Sequence, residues 1–148
     1  MRLRAVTLAG LLFVAACGDS VSPAELAGTY ALTAVDGRTL PRLTWATVNC
    51  DVWLTGGTLT LEAGGSFTLA LEETTDCTRA GGQETNGTQL TTGSYALSGE
   101  ALAFTTAPAG GEPGTFAGTV AGDDRVHLDL APWFPTGVTS VRLALTRH

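Results

Sequence analysis

Thr58-Leu59-Thr60-Leu61-Glu62-Ala63-Gly64-Gly65-Ser66-Phe67-Thr68-Leu69-Ala70-Leu71 is the stretch that decides the fold. Leu59 and Leu61 alternate with polar residues, a glycine break follows, and Phe67, Leu69 and Leu71 alternate with small or polar ones. Successive side chains of a strand point to opposite faces, so the pattern describes two strands, each with one oily face, joined as a hairpin.

The reading extends in both directions. Upstream, Tyr30, Leu32 and Ala34 share a face before a turn at Asp36-Gly37, and a less regular stretch from Leu43 to Thr55 carries Trp45, Val48, Cys50, Val52 and Trp53. Downstream, residues 76–88 read as a polar loop holding Cys77. Tyr95 and Leu97 follow, then a Ser98-Gly99 turn, then Leu102 and Phe104, with a Pro- and Gly-rich loop over 107–114. Phe116 and Val120 precede the turn Gly122-Asp123-Asp124; Val126, Leu128 and Leu130 come next, and Val141, Leu143 and Leu145 come last. Eight or nine short strands are expected, with threonine-rich outer faces, short turns and no helical period. A half-buried antiparallel sheet of this size must protect its edges. An all-β, up-and-down antiparallel β-barrel is the expected solution, with a compact β-sandwich as the alternative.

The N-terminus is built differently. Arg2 and Arg4 lead an uncharged, mostly apolar run from Ala5 to Ala16 that ends in small residues, the order of a secretory signal. A helix of that length covers about 18 Å, short of the roughly 30 Å hydrocarbon core, so a permanent span is not expected. The chain divides into a signal over 1–16, a tether over 17–27 and a domain over 28–148. Past the signal, six arginines face 14 acidic residues and there is no lysine, which leaves a charge of −8. That surface repels phosphate backbones, so no nucleic-acid partner is expected.

The cysteines beyond the signal and tether, Cys50 and Cys77, are expected to form a structural disulfide in an oxidising compartment. A redox pair would call for Cys-x-x-Cys. The chemistry of catalysis is thinly represented. His127 alternates with Val126 and Leu128 and so lies on the polar face, and His148 is the last residue. Gly-x-Ser-x-Gly, His-Glu-x-x-His, a P-loop and paired metal-binding cysteines are all missing from the sequence. Glu72-Glu73 and Asp123-Asp124 are adjacent pairs, and adjacent strand residues point to opposite faces, so neither is a converging acid pair. The expectation is a non-enzymatic protein with no metal and no cofactor.

Val14-Ala15-Ala16-Cys17 resembles the lipobox of bacterial lipoproteins, with Val14 where that family most commonly has Leu. The resemblance implies diacylglycerol on the Cys17 thiol, cleavage before Cys17 and acylation of the new amino terminus. It also implies membrane anchoring in the cell envelope, with Gly18 favouring the outer membrane and a domain facing the periplasm. Leu26-Ala27-Gly28-Thr29-Tyr30 is similar to the start of the lipocalin-like domains of bacterial lipoproteins, with Tyr30 where that group commonly has Trp. Gly57-Thr58-Leu59-Thr60-Leu61, Gly93-Ser94-Tyr95-Ala96-Leu97-Ser98-Gly99 and Gly114-Thr115-Phe116-Ala117-Gly118-Thr119-Val120 share that style. In that group the first-strand aromatic packs over the barrel floor against an arginine of the last strand. The resemblance therefore implies a contact between Tyr30 and Arg147; the alternative is an arginine frayed into water.

Two functions are left open. An eight-stranded barrel is wide enough to hold one small hydrophobic ligand. Its candidate lining is Tyr30, Trp53, Tyr95, Phe104 and the pair Trp133 and Phe134, which lies between prolines in a connection. The same bulk could instead fill the barrel and leave an envelope structural or protein-interaction module.

Overall fold

A computed structural model of the chain describes residues 21–108, 113–130 and 141–148. The signal over 1–16, the lipidation candidate Cys17 and the aromatic pair Trp133 and Phe134 lie outside the described residues.

The alternating stretches fold as strands. In chain order they are β1 (Gly28–Val35), β2 (Arg38–Thr39), β3 (Arg42–Ala46), β4 (Asp51–Leu61), β5 (Ser66–Asp76), β6 (Glu84–Ser98), β7 (Ala101–Thr106), β8 (Thr115–Val120), β9 (Arg125–Leu130) and β10 (Val141–Arg147). One helical turn, α1 (Pro23–Leu26), precedes them, and a 3₁₀ turn (Thr78–Ala80) follows β5. All strand pairs are antiparallel. From β4 through β10 each strand pairs with the next, β10 pairs with β1, and β1 returns to β4 through Gly28↔Leu61, Thr29↔Thr60, Tyr30↔Leu59 and Ala31↔Thr58. The result is a closed eight-stranded barrel, as alternation and edge protection require. The short β2 and β3 lie where β1 and β4 splay apart, β2 along Ala34 and Val35 and β3 along Asp51 to Leu54.

The inward positions are those that alternation nominates. Leu59, Leu61, Phe67, Leu69, Leu71, Leu102, Phe104, Val126, Leu128, Leu143 and Leu145 are all buried and belong to one contiguous core. No charged or polar side chain is buried with them among the described residues. Phe104 stacks on Phe116 at 4.6 Å between centroids, and Phe67 meets both rings edge-on at 5.0 and 5.6 Å. Two glycines make room for these rings. A Cβ at Gly93 would clash with Thr105 O and stand 2.9 Å from Phe67 Cε1, and one at Gly118 would stand 2.7 Å from His127 O and 3.1 Å from Phe104 Cε2, so neighbouring backbone excludes it as well as the rings. The rings are thus seated against bare backbone.

Three local differences from the sequence reading have physical causes. The register of β1 shifts between Leu32 and Ala34, so Val35 rather than Ala34 turns inward, and the Thr33 hydroxyl donates to Ala144 O at 3.0 Å. A second shift, between Leu54 and Gly56, puts Val52 and Leu54 inside on one side of it and Leu59 and Leu61 inside on the other. A bulge adds one residue and so reverses which parity faces the core. The third is the segment read as a loop over 76–88: β5 runs on to Asp76 and β6 begins at Glu84.

If the barrel is filled, enlarging a side chain inside it has nowhere to go. Leu128→Phe is expected to lower the unfolding free energy by about 1–3 kcal/mol, and Leu128→Ala by about 2–5 kcal/mol. Urea unfolding followed by near-ultraviolet circular dichroism measures both; a Phe variant as stable as the parent would reveal unfilled volume.

Candidate functional site

The two ends of the barrel differ in kind. At one end the first and last strands are locked together. Ser22 caps α1: its hydroxyl accepts from the Glu25 backbone N–H, and the Glu25 carboxylate accepts from the Ser22 backbone N–H at 2.7 Å. This reciprocal cap lets a single turn form where a four-residue helix would not persist alone. The turn sets Leu26 into the barrel end, where it is 2% exposed.

Below it lies Tyr30, fully buried. Its hydroxyl donates to Leu26 O at 2.7 Å and accepts from Arg147 Nη2 at 2.7 Å, while Nη2 also donates to Glu25 O at 2.6 Å. The guanidinium carbon stands 5.2 Å from the Tyr30 ring centroid, within cation–π range. The expected contact of first and last strand is thus present. Tyr95, also at this end, donates from its hydroxyl to Glu62 O at 2.8 Å. Burial pushes its phenol up from the ordinary value, with the nearby Tyr30 and Glu62 adding to the effect. An open cleft of about 450 Å³ lies beside this closure, lined by Val21, Glu25, Leu26, Val120, Gly122, Asp123 and Arg147.

The opposite end carries a projecting flap. At about 3.3 Å per residue the 15 residues of β6 span roughly 50 Å, against roughly 20 Å for the six residues of β7. The outer half of β6, with β5, β4 and β3, therefore extends past the rim as an open sheet. The Cys50–Cys77 disulfide staples its tip, joining the ends of β4 and β5 beside the Asp51↔Asp76 pair. Arg79 is hydrogen-bonded to the Asp51 carboxylate across the staple. Asp76 Oδ1 accepts from both the Thr78 N–H and hydroxyl, which holds its carboxyl below the usual range.

The structure brings some of the candidate ligand residues together and not others. Tyr30, Tyr95 and Phe104 are inside but serve as packing and as the end closure. Trp53 sits on the face opposite Val52 and Leu54, half-buried and outside the barrel, because the Leu54/Gly56 register shift sets the parity there. Cys17, Trp133 and Phe134 lie outside the described residues. His127 is half-buried on the outer face opposite Thr119 and Ala144. Its neighbour Asp129 takes two hydrogen bonds from Arg142 at 2.7 and 3.1 Å, which lower its carboxyl. Among the described residues no group of three His, Cys, Asp or Glu side chains is placed to hold a metal ion, and no helix is long and apolar enough to cross a membrane. No family model, curated protein or solved structure matches the chain.

The feature that alternation did not reveal is the flap. Residues 84–90 are exposed on both faces, so no buried stripe marks them as a strand. Their β-forming threonines, Thr85 and Thr88 with Thr91 and Thr92 behind them, were the available signal.

Two tests address the closed end. Tyr30→Phe removes the hydroxyl that pairs Leu26 O and Arg147, and is expected to cost about 1–3 kcal/mol in urea unfolding. The raised Tyr95 phenol favours the protonated form in the fold. Its contribution is therefore complete below pH 10 and is lost as pH climbs through the elevated native value. Thermal unfolding between pH 9 and 12 should show a fall in melting temperature that Tyr95→Phe makes shallower.

Proposed function

We propose that this chain is a lipid-anchored cell-envelope protein, held at the outer membrane and facing the periplasm, whose barrel is a non-catalytic interaction module. The lipobox-like Val14-Ala15-Ala16-Cys17 supports the anchor, and the lipocalin-like style of the strand openings agrees with a closed barrel. The observation that carries the interaction reading is the filled interior. Phe67, Phe104 and Phe116 pack ring to ring, and Leu54, Leu59, Leu128 and Leu143 are completely buried around the same core. A small hydrophobic ligand inside would have to displace these side chains, so the surface is the better candidate for function.

Anchoring at Cys17 has a geometric consequence. Val21 packs against the core at the closed end, and it lies four positions after Cys17. Four residues reach at most about 14 Å, so the closed end would be held against the bilayer. The flap, the loops and the disulfide would then be presented to the aqueous side. The acidic surface, with a mature charge of −8, needs the acyl chains for adhesion because it has no polybasic grip on anionic lipid.

Expression in a double-membrane bacterial host with globomycin and Cys17→Ala controls tests the anchor. The parent chain should partition into detergent and carry the mass of its acyl chains, and the Ala variant should partition into water unacylated. An unacylated parent chain, or a Cys17→Ala variant that stays with the membrane, would contradict the reading.

A further inference from the structure

We infer that the outer edge of β6 from Glu84 to Leu90 is a docking edge for an extended, basic segment of another protein, which adds to the flap as its next strand. This deepens the interaction reading above and rests on it, although strand addition at this edge does not require the lipid.

Unequal strand lengths create the edge. β6 pairs with β5 along its whole outer half, from Asp76↔Glu84 to Thr68↔Thr92, without a register shift. On its other side β7 begins to pair only at Gly93↔Thr106. Thr92 O accepts from Ala107 N–H on the β7 side, whereas Tyr95 N–H donates to Gly65 O on the β5 side. Backbone direction alternates along a strand. The N–H and C=O groups of Glu84, Asn86, Thr88 and Leu90 therefore point away from β5, and no strand among the described residues takes them.

Folded proteins guard such edges with Lys, Pro, bulges or short length. The other end of the sheet is guarded: β3 is five residues long, follows Pro41, starts with Arg42 and is bulged between Leu43 and Trp45. Glu84-Thr85-Asn86-Gly87-Thr88-Gln89-Leu90 has no Lys, Arg, Pro or bulge, and Leu90 is 67% exposed on it. It pairs with β5 without a register shift, is polar, and is held in register by the Thr74–Asn86 and Gln89–Glu73 side-chain bonds.

Charge selects the occupant. Glu72, Glu73, Asp76 and Glu84 stand on this part of the sheet; of the flap's two arginines, Arg79 is held by Asp51, and Arg42 lies on β3, two strands away from Glu73. A groove of about 300 Å³ runs behind the edge, lined by Thr55, Glu72, Glu73, Asn86, Gly87 and Thr88. Glu73 Oε2 accepts from Gln89 Nε2 at 2.8 Å, while Oε1 is shut from solvent with no partner. A lysine or arginine projecting from an added strand would supply that partner and offset the acidic surface. A second copy of this acidic chain would bring more carboxylates, so it is the poorer occupant.

The probe is a capped eight-residue peptide of alternating Thr and Lys, offered to the full-length chain in neutral detergent at low salt. Two control peptides accompany it, one with Glu replacing Lys and one N-methylated at alternate residues. Amide hydrogen exchange locates the contact. The expected result is slowed exchange confined to residues 84–90, weakened by added salt and absent with either control. Thr88→Pro removes an N–H that takes no strand partner beyond β6 among the described residues, and should weaken binding about tenfold while exchange in β10 stays as in the parent. Asn86→Pro is the second variant should the first disturb the flap. Equal binding of the N-methylated peptide, or binding without protection over 84–90, would overturn the strand-addition claim. A dimer of the chain abolished by Thr88→Pro, with no peptide binding, would overturn the choice of occupant. Acylation is read separately by mass, so failure here is distinguishable from failure of the anchor.

Discussion

The pairing of β1 with β4 is the constraint on which the molecule depends. Four residue pairs, Gly28↔Leu61 through Ala31↔Thr58, turn an antiparallel sheet into a closed wall. Without them, two long edges would lie open, and the oily faces of eight strands would share their inner side with water. With them, one face of every barrel strand converges on a single core that contains no buried polar side chain among the described residues. The polar atoms that reach into it, the Tyr30 and Tyr95 hydroxyls, are bonded at the closed end.

Closure also makes the ends unequal. Where β1 and β4 meet, the capped turn α1, the buried Tyr30 and the forked hydrogen bonds of Arg147 tie the chain's first and last strands together. Where β1 and β4 part, β2 and β3 cover the exposed edges, and β4, β5 and β6 run on past the rim. A strand pair that leaves the barrel loses the hydrophobic face that would have held it. Here the Cys50–Cys77 staple and cross-strand bonds such as Gln89 to Glu73 hold the flap instead. The proposed anchor and the proposed docking edge then sit at opposite ends, which keeps one from obstructing the other.

Much of this was legible in the residues, and the reasons differ by element. Leu59, Leu61, Phe67, Leu69 and Leu71 alternate because one face of each strand is buried and the other is not, so period alone reveals them. Tyr30 and Arg147 were connected through the lipocalin-like opening of the first strand, and their hydrogen bond is present. Strict alternation puts Ala34 on the face of Tyr30 and Leu32, and Trp53 is a candidate lining residue, yet Val35 and Leu54 are the buried ones. A bulge is settled by the partner strand, and nothing in Thr33 or Thr55 alone announces one. Residues 84–88 escaped because a strand exposed on both faces has no polarity contrast to detect. The turn at Pro23–Leu26 is too short for periodicity, although Ser22-Pro23-Ala24-Glu25 does contain the capping-box spacing with proline at the first helical position.

Backbone amide exchange at the seam between β1 and β4 tests the closed barrel most directly. If the wall is closed as described, the seam amides of Thr29–Ala31 and Thr58–Thr60 exchange as slowly as those at the centres of β9 and β10, because they open only when the whole fold does. Exchange at the seam as fast as at a free strand edge, with β9 and β10 still protected, would mean an open sheet and would contradict the account.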